Sequence, residues 1–265
     1  MTILDRICAT KAEELIVRKE QTPQSHLEEK IASLPRTRGF RESLLKKKQA
    51  NKPSYICEIK KASPSQGTIR ENFIPSLHAK QYEANGATCL SVLTDKEYFK
   101  GDDRYLIEAR NNCNLPILRK DFIVDPYQIY EARAIGADCI LLIIAILSKD
   151  QYKEFYKLAA SIGLDILVEV HSQSELETAM SINPSIVGVN NRNLKTMTVD
   201  LDVGKAMLSK IPGDVVRICE SGIRTQKDIE TMRRSSADGF LIGQSFMEQL
   251  DPGLALFELI RSQDN

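Results

Sequence analysis

The chain has 265 residues, and its 36 basic side chains balance 36 acidic ones, so its formal net charge at pH 7 is zero. This balance excludes a general electrostatic attraction to nucleic acid or to an anionic membrane surface, and a small molecule is the expected partner. The longest apolar run, "CILLIIAIL" from Cys139, is far shorter than the roughly 20 residues of a membrane span.

The cysteine and histidine patterns predict a reduced chain without a zinc site. The six cysteines contain no Cys-x-x-Cys pair, and the three histidines have no Cys or His at ligand spacing. The first residues, "MTILDRICATKAEELIVRKE", are charged and helix-patterned, unlike a signal peptide. We therefore expect a cytoplasmic location.

Residues 1–50 form a predicted N-terminal helical extension. Helical periodicity covers 3–18, 24–33 and 39–49, and the "KKK" at 46–48 is typical of a solvated helix face. About 50 residues are marginal as an independent core, so we expect one domain spanning 1–265.

Eight apolar segments follow, and each is succeeded by helical periodicity. The predicted strands are 54–59, 89–93, 116–119, 139–144, 165–170, 186–190, 215–219 and 239–242. The predicted helices are 76–85, 103–111, 126–135, 149–162, 173–181, 202–210, 225–234 and 251–261.

Continuous apolar strands are typical of parallel sheets covered on both faces. Eight β-then-α units predict an α/β fold of the closed (β/α)₈ TIM-barrel type. A doubly wound open sheet is the alternative, although the Gly-rich fingerprint it usually carries after its first strand is missing.

Polar side chains mark the ends of five predicted strands. In a (β/α)₈ barrel the carboxyl ends of the strands share one opening, which holds the catalytic groups. The side chains expected there are Glu58, Lys60, Lys120, Glu169, Asn190 and Glu220. Each alone is compatible with a solvated strand end or a buried ion pair. Five charges around one cavity are costly unless they are paired and used, so we predict proton-transfer chemistry.

Three loops add binding features. The segments "ESGI" from Glu220 and "IGQSFM" from Ile242 follow strands seven and eight, where this fold commonly binds a phosphate. "KASPSQG" over 61–67 is long enough for a mobile cover. Phe99 and Phe122 lie just past strand ends, so they are either core residues or walls of a slot for an aromatic ligand.

The order of these motifs resembles the indole-3-glycerol-phosphate synthase family. The matching segments are "EIKKASPSQG", "LSVLTDKEYFKGD", "LRKDFIVDPYQIYEARAIGAD", "LVEVHS", "VGVNNRNL", "ESGI" and "LIGQSFM". The resemblance implies a carboxy-lyase of tryptophan biosynthesis with a TIM-barrel fold. Its reaction closes the ring of 1-(2-carboxyphenylamino)-1-deoxyribulose 5-phosphate and releases CO₂ and water, without a cofactor or a metal.

The resemblance also implies residue roles. Lys120 matches the general acid, Lys60 the second lysine, and Glu169 and Glu58 the catalytic carboxylates. The positions that match substrate contacts are Ser63, Phe99, Phe122, Asn190, Arg192, Glu220 and Ser221, and those that match phosphate contacts are Gly222, Gly243 and Gln244. Two positions depart from the family pattern, with Gln66 where Lys is frequent and Gln244 where Glu or Ser is common.

Three other activities stay open at this point. A phosphoribosylanthranilate isomerase would use a Cys/Asp acid–base pair, whereas the first strand here offers Glu58 and Lys60. An aldolase would form a Schiff base on Lys120. A non-catalytic phosphate-binding barrel would not need five buried charges. For the function implied by the resemblance we expect a monomer that acts on a phosphorylated small molecule.

Overall fold

The computed structural model describes residues 2–194 and 196–261. Three helices come first: α1 Ile3–Gln21, α2 Gln24–Ser33 and α3 Phe40–Gln49. The main strands are β1 Ser54–Ile59, β2 Cys89–Leu93, β3 Ile117–Lys120, β4 Cys139–Ile143, β5 Asp165–Val170, β6 Ile186–Asn190, β7 Val216–Glu220 and β8 Gly239–Ile242. The remaining helices are α4 Pro75–Ala84, α5 Asp103–Asn112, α6 Tyr127–Ala134, α7 Lys149–Ser161, α8 Gln173–Met180, α9 Leu201–Leu208, α10 Gln226–Arg234, α11 Gln244–Met247 and α12 Pro252–Arg261.

The eight strands form a closed parallel barrel. Each strand pairs with the next along the chain, and β8 pairs with β1 from Ser54 opposite Gly239 onward. This closure confirms the predicted (β/α)₈ TIM barrel with its N-terminal helices, and the open-sheet alternative is wrong. None of the helices in the described residues is both long and apolar enough to cross a membrane.

The predicted bounds of β3 and β7 need a shift of one residue. Both strands continue through their charged ends, since Lys120 pairs with Leu93 and Glu220 pairs with Asn190 in the sheet register. The loop over 61–67 contains a short hairpin that the sequence analysis did not predict. Ala62–Ser63 pairs in antiparallel fashion with Gly67–Thr68, and such a short hairpin gives no hydrophobic period in the sequence.

Helix α3 closes the amino-terminal end of the barrel. Its Phe40 and Leu44 are fully buried and pack against the inward-facing side chains of the strands, which include Ile56, Leu118 and Leu167. The lower half of the barrel is therefore a solid apolar core. The charged side chains Glu58, Lys120, Glu169 and Glu220 lie toward the opposite, carboxyl ends of the strands.

A buried lysine fixes α1 beside the opposite end of the barrel. Lys11 is only 4% exposed, and its Nζ lies 3.1 Å from Asp95 and 3.2 Å from Asp121, which follow β2 and β3. Glu14 is a third partner at 2.9 Å. Removing any one of these charges would leave the others buried without full compensation, so the cluster holds α1 in one place.

The charged run at the end of β3 divides between two faces because successive strand side chains point to opposite sides. Lys120 points into the barrel, whereas Arg119 points outward and is fully buried beneath the helices. Arg119 Nη2 lies 2.9 Å from Asp103, and its Nη1 donates to the carbonyl oxygen of Gln128 at 3.1 Å. Arg119 therefore belongs to the helix-facing network of ion pairs.

This geometry predicts a stability effect. Arg119→Met would lower the free energy of unfolding by about 3 kcal/mol, because Asp103 and Glu131 would lose a buried cation. We expect the low end of the usual range because Arg18 contacts both carboxylates as well. Urea unfolding at neutral pH measures the loss. The control Arg104→Met removes an exposed arginine, and an equal loss in both variants would contradict the assignment.

Candidate active site

A cavity of about 510 Å³ opens at the carboxyl ends of the strands. The sequence-predicted site residues that line it are Glu58, Lys60, Phe99, Lys120, Phe122, Glu169, Asn190, Arg192, Glu220, Ser221, Gly222, Gly243 and Gln244. Ser63 lines a smaller neighbouring cavity that also contacts Ile3, Leu4 and Ile7 of α1. The barrel thus brings together residues that are far apart in the chain.

Lys120 lies at the centre of the charged groups. Its Nζ donates to Glu169 Oε2 at 3.2 Å and lies 3.9 Å from Glu220 Oε2. Burial by itself would lower the pKa of Lys120, but the neighbouring carboxyl groups, Glu169 first, outweigh burial and raise it. At neutral pH the side chain is therefore a fixed ammonium ion within the cavity.

Glu169 and Glu220 differ in charge although they lie side by side. Burial would raise the pKa of Glu169, but the Lys120 charge and the contact with His171 outweigh it and hold the pKa well below its usual range. Burial and the negative charge of Glu169 together raise the pKa of Glu220 far above its usual range. These opposite shifts favour one negative charge on the pair, located on Glu169, with Glu220 as the carboxyl group that binds a proton more readily.

A second ion pair lies on β1 and the loop behind it. Lys60 Nζ is 2.5 Å from Glu58 Oε2, and both side chains point into the cavity, as their spacing of two predicts. The Glu58 carboxylate packs against the Cα of Gly243, where a Cβ atom would overlap it. Gly243 is therefore required for the position of Glu58.

The loops after β7 and β8 are connected to each other. Ser221 and Gly222 both have a positive φ, of 63° and 87°, which forms a sharp turn after β7. The Ser245 hydroxyl donates to the carbonyl oxygen of Ile223 at 3.1 Å and so joins the two loops. The side-chain amide of Gln244 donates to Glu248 Oε1 at 2.7 Å, so that donor points along α11.

Sequence reasoning missed Asn191, which holds this turn. Its Nδ2 donates to the carbonyl oxygens of Glu220 at 2.9 Å and Ser221 at 3.0 Å, and its Oδ1 accepts from the Gly204 amide at 2.8 Å. Asn191 is buried beneath the cavity, whereas Asn190 lines it. Because side chains alternate between the two faces of a strand, the sequence could have shown that Asn190 and Asn191 point in opposite directions.

His171 is a second residue that the sequence reasoning did not assign. Its Nε2 lies 3.2 Å from Glu169 Oε1, and its Nδ1 lies 3.4 Å from Glu175 Oε2. The spacing of two residues from Glu169 in "LVEVHS" places both side chains toward the same end of the barrel. That spacing could have identified the contact.

Two aromatic rings form an apolar wall of the opening. The centroids of Phe99 and Phe122 are 5.9 Å apart, and the rings are tilted by 39°. Both rings line the main cavity and the smaller one. Lys100 Nζ donates to Thr68 Oγ1 at 2.8 Å and so connects the Phe99 loop to the hairpin after β1.

The described residues contain no group of three or more His, Cys, Asp or Glu side chains arranged to hold a metal ion. All six cysteines are free thiols, and Cys57 on β1 is fully buried in the core between strands and helices. The groups available for chemistry in the cavity are thus ammonium, carboxylate and carboxylic acid, which suit proton transfer and charge stabilisation.

Comparison with known proteins gives two levels of similarity. Residues 4–259 match the family described as indole-3-glycerol phosphate synthase. A protein of that name from Polaromonas sp. strain JS666 is 48% identical over 257 residues, which cover 97% of each chain. Among solved structures, tryptophan synthase subunit alpha from Legionella pneumophila aligns with a TM-score of 0.62 at 16% identity, covering 86% of this chain and 97% of that one.

Thiamine phosphate pyrophosphorylase from Pyrococcus furiosus aligns with a TM-score of 0.57 at 15% identity, covering 79% of this chain and 94% of that one. At such low identity these two structures show the shared barrel fold alone. The family match over residues 4–259 and the relative with 48% identity show the family as well as the fold, because both alignments include the residues of the charged cavity. The chain belongs to the indole-3-glycerol phosphate synthase family, which are carboxy-lyases of tryptophan biosynthesis.

Proposed function

We propose that this barrel converts 1-(2-carboxyphenylamino)-1-deoxyribulose 5-phosphate into indole-3-glycerol phosphate, CO₂ and water by acid–base catalysis with two lysine–glutamate pairs. The main observation behind the proposal is that Glu169 holds the ammonium group of Lys120 inside the cavity. The loops after β7 and β8, which are suited to binding a phosphate, line the same cavity. The family membership supports the overall reaction.

Ring closure is assigned to Lys120. The aryl carbon that bears the carboxylate attacks the C2′ carbonyl, a carbon–carbon bond forms, and negative charge develops on the C2′ oxygen. A fixed cation beside that oxygen stabilises the charge and then supplies its proton, because an alkoxide is a stronger base than an amine. The raised pKa of Lys120 supports this order, since the cation is in place before the charge appears.

Decarboxylation and dehydration follow. Loss of CO₂ from the sp³ ring carbon restores the aromatic sextet, so it needs little help from the protein. Departure of the C2′ hydroxyl as water then requires an acid, and removal of a C1′ proton requires a base. We assign these to Lys60 and Glu58, because they form a separate ion pair that also lines the cavity.

The remaining predicted residues bind and orient the substrate in this proposal. Phe99 and Phe122 hold the anthranilate ring, and the backbone N–H groups near Gly222 and Gly243 hold the phosphate. The other assigned contacts are Ser63, Asn190, Arg192, Glu220, Ser221 and Gln244. Arg224 lines the same cavity next to the phosphate loops and adds a cation there.

The alternative activities fit these observations less well. An isomerase with a Cys/Asp pair would need a thiol in the cavity, but Cys57 lies in the core outside the barrel. A Schiff-base aldolase needs a neutral lysine, whereas the carboxylates around Lys120 raise its pKa. A passive binding barrel would gain nothing from the cost of burying Glu169, Glu220 and Lys120 together.

We further infer that the chain works as a one-domain monomer in the cytoplasm. Every residue assigned to the site lies on one chain, so no second copy is needed to complete it. The free and mostly buried thiols suit a reducing compartment. Light scattering of the purified protein tests the monomer, and a mass twice that of the 29.8 kDa chain would contradict it.

Indole fluorescence tests the proposed reaction. We expect the purified protein to produce an indole emission signal from the carboxyphenylamino substrate, with a background that is low because the chain contains no Trp. Metal chelators should leave the rate unchanged. Absence of a signal from folded protein would contradict the proposed function and favour a non-catalytic phosphate-binding barrel.

A further inference from the structure

We propose that His171, held in its cationic form by Glu175, is a positioning residue that fixes the Glu169 carboxylate for its contact with Lys120. The inference rests on the role proposed above for Glu169 and Lys120. It adds two residues outside the cavity lining to the acid–base machinery.

The first argument is that the two carboxylate oxygens of Glu169 contact different cationic side chains. Oε2 accepts a hydrogen bond from Lys120 at 3.2 Å, and Oε1 lies 3.2 Å from His171 Nε2. Glu169 is only 2% exposed, so solvent offers its carboxylate almost no compensation. A cation on each oxygen sets both the charge and the orientation of the carboxylate.

The second argument concerns the other face of the imidazole. Nδ1 of His171 lies 3.4 Å from Glu175 Oε2, and the same oxygen accepts the backbone N–H of His171 at 2.8 Å. A neutral imidazole has one N–H and can donate to only one of two carboxylates. Carboxylate oxygens near both ring nitrogens, from Glu169 and from Glu175, therefore favour the doubly protonated form.

Glu175 is itself held by local structure. It lies in the first turn of α8, where the Ser172 hydroxyl caps the helix and donates to Glu175 Oε1 at 3.1 Å. The row Glu175, His171, Glu169 and Lys120 then alternates in sign from the helix to the cavity. Burial and the charge of Glu169 raise the pKa of the neighbouring Glu220, which favours its neutral form and so preserves the alternation.

The expected pKa of His171 agrees with this geometry. Burial by itself would lower the pKa of His171, but its contacts with Glu169 and Glu175 raise it to about 9. His78 is buried, and there burial lowers the pKa, since its side-chain partner is the neutral Gln81 rather than a carboxylate. The buried His78 and the half-buried His171 therefore have opposite expected charges at neutral pH.

We expect kcat to fall at alkaline pH. The His171 cation is present below pH 9 and is lost as the pH rises through that value, so kcat should fall there. Glu175→Gln removes one of the two anionic partners, which should move this alkaline limb to lower pH by about one unit. His171→Gln should lower kcat roughly tenfold, equivalent to about one pKa unit of lost interaction, and should abolish the limb near 9.

Imidazole ¹⁵N NMR of the wild-type protein measures the protonation state of His171 and so tests the inference independently of activity. With only three histidines, the spectrum is simple to assign by His26→Gln, which removes an exposed side chain and serves as the activity control. We expect both His171 nitrogens to be protonated at neutral pH, and Glu175→Gln to lower its titration midpoint.

Two results would overturn the inference. One is a neutral His171 at neutral pH. The other is a charged His171 whose substitution leaves both kcat and the alkaline limb as in the wild type. Failure of the wild-type protein to form any indole would instead overturn the proposed function, and the NMR titration would still report the His171 charge separately.

Discussion

Lys120→Met should lower kcat by roughly 10²–10⁴, the usual loss when a general acid or an electrostatic stabiliser of a developing oxyanion is removed. Methionine keeps the approximate length of the side chain and removes its charge. The ammonium group contacts Glu169 Oε2, whereas the other cationic partner of this carboxylate, His171, lies against Oε1. Indole fluorescence under saturating substrate measures the loss.

The control for this variant is Lys153→Met, the same chemical change on the exposed face of α7. It should leave kcat unchanged. Because Lys120→Met leaves Glu169 without its main cation, the free energy of unfolding should be measured by urea titration alongside. A folded Lys120→Met protein with near-normal turnover would contradict the role of Lys120 in ring closure.

Gly243→Ala should lower kcat/KM roughly 10²-fold, the loss that a displacement of about 1 Å can cause in a catalytic group. The added methyl would overlap the carboxylate of Glu58 and force it away from Lys60. Gly243 is also one of the positions assigned to the phosphate. The measured loss should therefore appear in both kcat and KM.

Gly213→Ala is the matched control, because a Cβ there meets no atom within 4 Å. It should keep wild-type kinetics, so that any loss in Gly243→Ala is due to the contact with Glu58. Equal kinetics for Gly243→Ala and the wild type would contradict the close approach of Glu58 to the β8 loop.

The barrel was predictable because its determinants are local. Eight apolar runs, each followed by helical periodicity, give both the strand count and the parallel order. The carboxyl ends of parallel strands then meet at one opening, which is why Lys120 and Glu169 could be placed together from 49 residues apart. Errors in the strand bounds arose where charged residues continue the sheet pairing, as at Glu220.

The unpredicted parts depend on contacts that form only when the barrel closes. Lys11 on α1 finds its partners Asp95 and Asp121 more than eighty residues away, and nothing in its own helix signals them. Arg119 and Lys120 look alike in the sequence, but one joins the network beneath the helices and the other faces the cavity. Only the strand register decides which is which.

The most direct test of ring closure at Lys120 is a single-turnover experiment with substrate labelled at its carboxyl carbon. Release of CO₂ requires the sp³ carbon that ring closure creates, so Lys120→Met should slow CO₂ release and indole formation by the same factor. Release of labelled CO₂ at the wild-type rate without indole would contradict the account, because Lys120 would then act after ring closure.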